Sequence, residues 1–368
     1  MERNHRLRYI DALRGLAILM VILHHSHPYF AGLTRYRLPL FLEVISKNGD
    51  KGVTLFFVLS AYTLSVSLAN KTANEKNPLR NYFTRRFFRI APMYYLAICL
   101  FLLCAIRSPT PVSVAANFLL IHGSSPYWTN SPVPGGWTVG IEVIFYLLLP
   151  LIFLKIKDAA SALNLFIVLL LVAKLASSLL FKHPVIADHN LWGLFVYENI
   201  MSQLPVFLVG VCLFHFTGEP QMTLASWKSK PLSLALLAIL ALAQLLAGSV
   251  VKDFYIFAIA FGILAYTLSR IKIIVLVNDF TVWVGRHSYS LYLVHLLVAN
   301  LLLKYQLTRY SSDPGTDYLL RAGLLFSLSC GISLFTYKYI EAPFMALGKR
   351  LILRSEHRNT YVHAIKSI

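Results

Sequence analysis

Apolar runs close to 20 residues long recur along this chain, separated by short polar or charged stretches. A helix of about 20 residues spans the hydrocarbon core of a bilayer. Ten segments fit that length: 9–27, 52–69, 91–107, 137–154, 161–181, 194–216, 231–250, 254–270, 287–304 and 319–339. The last opens on Arg321 and is the weakest candidate of them. Segment 273–284 is apolar but short, which predicts an interfacial or re-entrant piece. The pattern predicts an all-α fold: a polytopic transmembrane helical bundle of about ten spans. Two connections are long. Residues 28–51 are mixed polar. Residues 108–136 are rich in Pro, Ser and Gly and end in Pro132, Pro134, Gly135 and Gly136, so they cannot be helix throughout. The expected organisation is one membrane domain over 1–345 and a short basic tail over 346–368.

Charge agrees with this count. Of 34 Lys and Arg, 22 fall in segments on the N-terminal side of the membrane when ten spans are threaded, and 10 on the other side. Arg14 and Lys174 lie within spans. Cytoplasmic loops carry the Lys and Arg excess, so both termini are expected in the cytoplasm. An odd number of spans would put Lys349, Arg350, Arg354 and Arg358 outside. Arg3, Arg6 and Arg8 followed by an apolar run resemble a signal peptide, but Asp11 and Arg14 interrupt the run and no small-residue cleavage site follows. The segment reads as an uncleaved first span.

Composition narrows the class. The chain is 57% hydrophobic and 14% charged, with a formal net charge of +18. Soluble domains run near a quarter charged. The basic residues sit between apolar runs rather than on one soluble module, which argues against nucleic acid. Cys99, Cys104, Cys212 and Cys330 lie in apolar runs without metal or disulfide spacing and read as buried hydrophobes.

Ionisable residues inside spans are costly and usually face a polar cavity. The first span carries Asp11, Arg14 and His25. At about 100° per residue, Arg14 and His25 share a face and stand about 16 Å apart along the axis. Arg14 lies nearer the cytoplasm and His25 nearer the outer surface; His24 points about 100° away. The bland alternative is an interfacial Asp11–Arg14 pair and an interfacial histidine. A second group, Arg80, Arg85, Arg86 and Arg89, lies at the cytoplasmic mouth of the third span. It reads as a topology anchor that attracts anionic lipid, or as a phosphate clamp built from guanidinium forks. Third, Trp137 and Glu142 open the fourth span. Glu142 is expected at the depth of His25, where a carboxylate needs a partner. Fourth, Tyr289, Tyr292 and His295 share a helical face. His295 reads equally as a packing residue or a ligand. Lys174 and Glu198 are further intramembrane charges whose offsets suggest no pairing.

Taken in order, these elements resemble the acyltransferase-3 family of bacterial integral-membrane O-acyltransferases, over about residues 7–345. Arg8-Tyr9-Ile10-Asp11-Ala12-Leu13-Arg14-Gly15 with His25 is similar to the family's first-span signature. Gly52 to Ser60 resembles its second-span motif, with Thr54 and Ala61 where the family often has Asp and Gly. Arg85-Arg86-Phe87-Phe88-Arg89-Ile90-Ala91-Pro92, Trp137 to Glu142, Ser288 to His295 and Glu341-Ala342-Pro343-Phe344 resemble the remaining motifs.

The resemblance implies transfer of an acyl group, most simply acetyl, from cytoplasmic acyl-CoA to a hydroxyl, with no bound cofactor and no metal. It assigns acyl-CoA binding to Arg14, Arg85, Arg86 and Arg89. His25 becomes the general base, since neutral imidazole suits proton abstraction near neutral pH. Asp11 lies about 21 Å from His25 by helical rise and is assigned to Arg14. Glu142 is expected to orient His25 or to bind the acceptor, with Ser60, Trp137, Tyr292 and His295 in support. The acceptor is expected to be a cell-surface glycan such as lipopolysaccharide O-antigen or exopolysaccharide, or a lipid-linked sugar, reached from the bacterial inner membrane among its lipids. A small-molecule acceptor is one alternative. A glycan or small-molecule transporter with Lys174, Glu198 and His295 as a proton relay is another, though no internal repeat supports it.

Overall fold

The computed structural model describes residues 2–28, 37–72, 74–218 and 252–366. The described elements are α1 (Glu2–His25), α2 (Leu40–Lys47), α3 (Lys51–Thr72), α4 (Pro78–Leu103), α5 (Pro111–Phe118), a 3₁₀ turn (His122–Ser124), α6 (Trp137–Lys155), α7 (Ala159–Lys182), α8 (His189–Glu198) and α9 (Ile200–Gly218). After the segment that is not described come α10 (Asp253–Arg270), α11 (Asp279–Arg286), α12 (Ser288–Lys304), α13 (Pro314–Thr336), a π-helical turn (Tyr337–Glu341) and α14 (Ala342–Lys366). No strand occurs among the described residues.

Seven of these helical segments are long and apolar enough to cross a membrane: α3, α4, α6, α7, α8 with α9, α10, and α13 with its continuation. The 17-residue α12 is apolar but shorter. With α1, nine of the ten expected spans fall on helices; the tenth, 231–250, lies outside the described residues. Large apolar side chains point outward, among them Leu147, Leu151 and Leu154 on α6, Leu175 on α7 and Ile263 on α10. That is the surface of a protein whose solvent is lipid, and closed helices are how its backbone stays hydrogen-bonded there. The chain is a multi-pass helical membrane protein.

Three boundaries differ from expectation. The third span begins at Pro78, not 91. Pro at the first position of a helix loses no hydrogen bond, and nothing between 78 and 91 breaks the run, so the arginines ride on α4 itself. The sixth span is broken at Asn199, whose ψ of 162° leaves the helix. Asn199 Oδ1 then accepts from Ser202 N at 3.2 Å and caps α9. The last span runs on through a π turn into α14, so residues 346–366 are helical. The expectation for the cysteines holds for Cys212 and Cys330, which are buried, but Cys99 is exposed on α4.

Two interfaces set the arrangement around α1. Short α11, started by a reciprocal cap between Asn278 and Thr281, lies in backbone contact with α1. A Cβ on Gly285 would sit 1.7 Å from Asp11 O, and one on Gly15 would sit 2.1 Å from Thr281 O. Small residues let membrane helices approach this closely. The segment expected to be interfacial is therefore half embedded, with Val284 buried and Phe280 exposed. On the other side, α3 packs on α1 and α9. Phe57 of α3 and Phe145 of α6 both stack on Phe207 of α9, with centroids 4.5 and 4.1 Å apart.

Gly285→Val forces α1 and α11 apart and is expected to destabilise the detergent-solubilised protein by about 3 kcal/mol. Gly323→Val, where nothing lies within 4 Å of the added Cβ, should leave the melting temperature unchanged. Equal melting temperatures for the two variants would contradict the contact.

Candidate active site

Arg14 is the centre of a polar chamber inside the bundle. Five helices converge on it: α1, α3, α4, α6 and α12. Arg14 Nη2 donates to Thr63 Oγ1 at 3.0 Å. Thr63 lies one turn beyond Ser60 on α3, and the Ser60 hydroxyl donates to Glu142 Oε1 on α6. Arg86 and Arg89 enter from α4, three residues apart on one face. The cavity measures about 80 Å³. Three guanidinium groups face one carboxylate there, so the chamber is net cationic. Arg86 Nε is buried with no hydrogen-bond partner among the described residues. A buried donor of that kind suits an anionic or carbonyl oxygen.

A second cavity of about 530 Å³ lies at the other end of α1. His25 and His24 line it, together with Arg107, Trp137, Tyr197, Glu198 and Arg321. Both Glu198 oxygens accept from Asn130 Nδ2 at 2.8 Å. Arg321 is ion-paired with Asp317 one turn earlier and donates to Ser26 O at 3.2 Å and Thr308 O at 2.8 Å. The wall therefore offers both charges, amide groups and the aromatic side chains of Trp137, Tyr197 and Tyr292. Val53 and Tyr292 line both cavities, so they stand between them. The Tyr292 hydroxyl donates to Gly135 O at 3.2 Å and lies 3.1 Å from Thr138 Oγ1.

The structure brings together Arg14, Ser60, Arg86, Arg89 and Glu142 in the inner cavity and His25 with Trp137 in the outer one. His295, wholly buried, lies 3.3 Å from His25 through Nε2. Four expectations change. Glu142 does not reach His25; five residues into α6 it accepts from Ser60 beside Arg14, while Trp137 at the start of the helix lines the outer cavity. Arg85 turns away from the chamber and forks onto Glu75, with contacts of 2.8 to 3.2 Å. Asp11 makes its direct ion pair with Arg286 of α11, at 3.6 Å; its charge also acts favourably on Arg14, whose hydrogen bond goes to Thr63. His24 joins the outer cavity: its ring hydrogen-bonds Ser46 O at 2.8 Å, and its centroid lies 5.1 Å from that of His25.

Sequence reasoning missed the support of the loop that separates α5 from α6. Tyr94 donates to Asn117 Oδ1 at 2.6 Å, and Asn117 Nδ2 donates to Trp128 O at 3.2 Å and to Ser131 O. His122 Nε2 donates to Gly136 O at 3.0 Å. All three side chains are fully buried. This network delivers Gly135 with φ +71°, a conformation that favours glycine, against Tyr292. No periodic pattern marks such a network, because its bonds join helix residues Tyr94 and Asn117 and the loop across 11 to 23 positions. Burial pushes His122 down from its usual 6.5 to about 4.

A helical membrane protein with two polar cavities strung along its first span is the class that fold and site define. The chain belongs to the acyltransferase-3 family, whose Acyltransferase domain matches residues 7–338. It is 25% identical over 383 aligned residues to O-acetyltransferase OatA of Staphylococcus aureus (strain NCTC 8325 / PS 47), covering 95% of this chain and 59% of that protein. It is 29% identical over 166 residues to peptidoglycan O-acetyltransferase OatA of Listeria monocytogenes, covering 40% of this chain and 24% of that one. The chain thus spans little more than half the length of the Staphylococcus relative. No solved structure matches it.

Because the folded His122 binds its proton only near pH 4 while the unfolded one binds near 6.5, stability supplied by the neutral ring is complete above 6.5. It falls as the pH drops from there towards 4, by up to about 3 kcal/mol. Melting of the purified protein across that window should show the loss, and His122→Gln should flatten it. An unchanged pH slope in His122→Gln would show that the ring does not titrate in this way.

Proposed function

We propose that this chain is an O-acetyltransferase of the bacterial inner membrane, which moves acetyl from cytoplasmic acyl-CoA to a hydroxyl of a cell-envelope glycan. The observation that carries the reading is the pairing of a cationic inner cavity with a polar outer cavity along one helix. Arg14 serves the first and His25 the second. The excess of Lys and Arg in the inner segments puts the arginine chamber towards the cytoplasm, where acyl-CoA is made available. Arg14, Arg86 and Arg89 suit its phosphates, and the thioester at the far end of the donor's flexible arm has to reach His25, about 16 Å along α1. Glu142, hydrogen-bonded by Ser60, supplies the chamber's carboxylate. The outer cavity has the size and the mixed polar and aromatic lining of a sugar site. There His25 takes the hydroxyl proton as the oxygen attacks the acyl carbon, and the departing thiolate takes a proton in turn.

Among envelope glycans, the name of the Listeria relative favours peptidoglycan over O-antigen or exopolysaccharide. The relatives' names also weigh for acyl transfer over transport. Mass spectrometry of peptidoglycan and of surface polysaccharides, with and without this protein, tests the acceptor. Loss of an ester-linked acetyl from one glycan names it. Unchanged acetylation of every glycan, with flux of a sugar in vesicles, would overturn the reading.

His25→Ala should lower transfer by about 1,000-fold with normal membrane insertion. Full activity in that variant would remove His25 from the chemistry. Arg86→Gln or Arg89→Gln should raise the KM for acyl-CoA about tenfold or more, while Arg85→Gln should leave it near the native value. A larger effect at Arg85 than at Arg86 or Arg89 would contradict the assignment of the chamber to the donor.

A further inference from the structure

The hydrogen bonds around His25 determine which of its nitrogens is the base. His25 Nδ1 lies 2.9 Å from Val21 O, one turn back on α1. A carbonyl oxygen only accepts, so in this contact Nδ1 carries the hydrogen. The same nitrogen lies 3.3 Å from His295 Nε2 on α12. His295 Nδ1 in turn lies 2.6 Å from Tyr292 O, another carbonyl, so it too carries its hydrogen at Nδ1. The lone pair of neutral His295 is therefore on Nε2 and faces the Nδ1–H of His25. That N–H is shared between Val21 O and His295 Nε2. The tautomers of both rings follow from two backbone carbonyls, and they agree with each other. The basic nitrogen of His25 is then Nε2, on a side chain that lines the outer cavity.

We propose that His295 is the positioning residue for His25, holding it as the Nδ1–H tautomer and stabilising the imidazolium formed during transfer. This rests on His25 being the base of the acyl transfer proposed above. In the step, the acceptor hydroxyl gives its proton to His25 Nε2 as the oxygen bonds to the acyl carbon. The carbon–sulfur bond breaks, and the proton passes to the thiolate, leaving ester and free thiol. While His25 carries two protons, its Nδ1–H bond to His295 Nε2 becomes charge-assisted and stronger than in the resting state. An interaction that tightens only at that stage speeds the reaction without tightening substrate binding. A hydrolase triad uses a carboxylate in this place. Here the supporting side chain is wholly buried within the bundle, where a permanent negative charge is costly. A neutral imidazole supplies one acceptor lone pair without that charge. Ring centroids 5.1 Å apart at 60° keep the two histidines in register. The i, i+3 step from Tyr292 to His295 means the same turn of α12 closes the wall between the cavities and seats the second histidine.

The test compares His295→Gln with His295→Met in the full-length detergent-purified protein, with acetyl-CoA and a glycan acceptor. Both replacements are unbranched and similar in length, but the Gln amide oxygen is a strong acceptor for His25 Nδ1–H and the Met thioether only a weak one. The Met variant is expected to lose roughly 10- to 100-fold in kcat with KM for acetyl-CoA within about twofold. The Gln variant is expected to recover at least about tenfold of that loss. Equal loss in the two folded variants, or none in either, overturns the proposal. Nitrogen-15 NMR of labelled wild-type protein supplies a readout that needs no variant to fold: His25 is expected as the Nδ1–H tautomer, and an Nε2–H tautomer overturns the assignment. If the wild type transfers no acetyl from acetyl-CoA, the proposed function fails while the NMR result still decides the tautomer.

Discussion

A guanidinium placed well inside a membrane helix must be solvated by protein, because lipid offers it nothing. Arg14 imposes that demand, and the bundle is arranged to meet it. α3 brings Thr63 and Ser60, α6 brings Glu142, and α4 and α12 close the chamber. The cost of an intramembrane charge is contested in size but not in sign. Bringing five helices around one such charge is a specific solution that random apolar packing would not produce. The backbone contact at Gly15 and Gly285 belongs to the same design. It clamps α11 against the turn of α1 that bears Arg14 and gives Asp11 its partner, Arg286.

Much of this was legible in the chain. The ten apolar runs, the Arg14–His25 face and the Tyr289–Tyr292–His295 face follow from helical period and length, which are local properties. What failed was axial offset between helices. Glu142 looked level with His25 because both lie near the outer end of a span, yet the start of α6 depends on the loop held by Asn117 and His122. The arginine block looked as if it lay at the mouth of the third span, outside it, because Arg85, Arg86 and Arg89 are charged. Helix propensity is indifferent to that, and only tertiary packing sends Arg86 and Arg89 inward while Glu75 draws Arg85 aside. Arg321 counted against the last span when read singly. Asp317, four residues earlier, answers it, and that pairing was readable at i, i+4.

The two histidines illustrate how backbone can do electrostatic work. Val21 O and Tyr292 O each bind an Nδ1–H and thereby set the direction of the bond between the rings. Neither carbonyl carries sequence information, so no motif could have signalled the direction. The helical spacing did place each imidazole within reach of a carbonyl one turn earlier.

Val53 and Tyr292 have a consequence for the cell's energy supply. An energised membrane drives each elementary charge with roughly 2.3 kcal/mol per 100 mV. A bundle with polar chambers opening from opposite faces invites a proton leak if the chambers join. In this structure Val53 and Tyr292 belong to the partition, and the Tyr292 hydroxyl is held by Gly135 O beside Thr138. Where the two chambers approach each other, insulation of the membrane rests on packed protein side chains rather than on lipid.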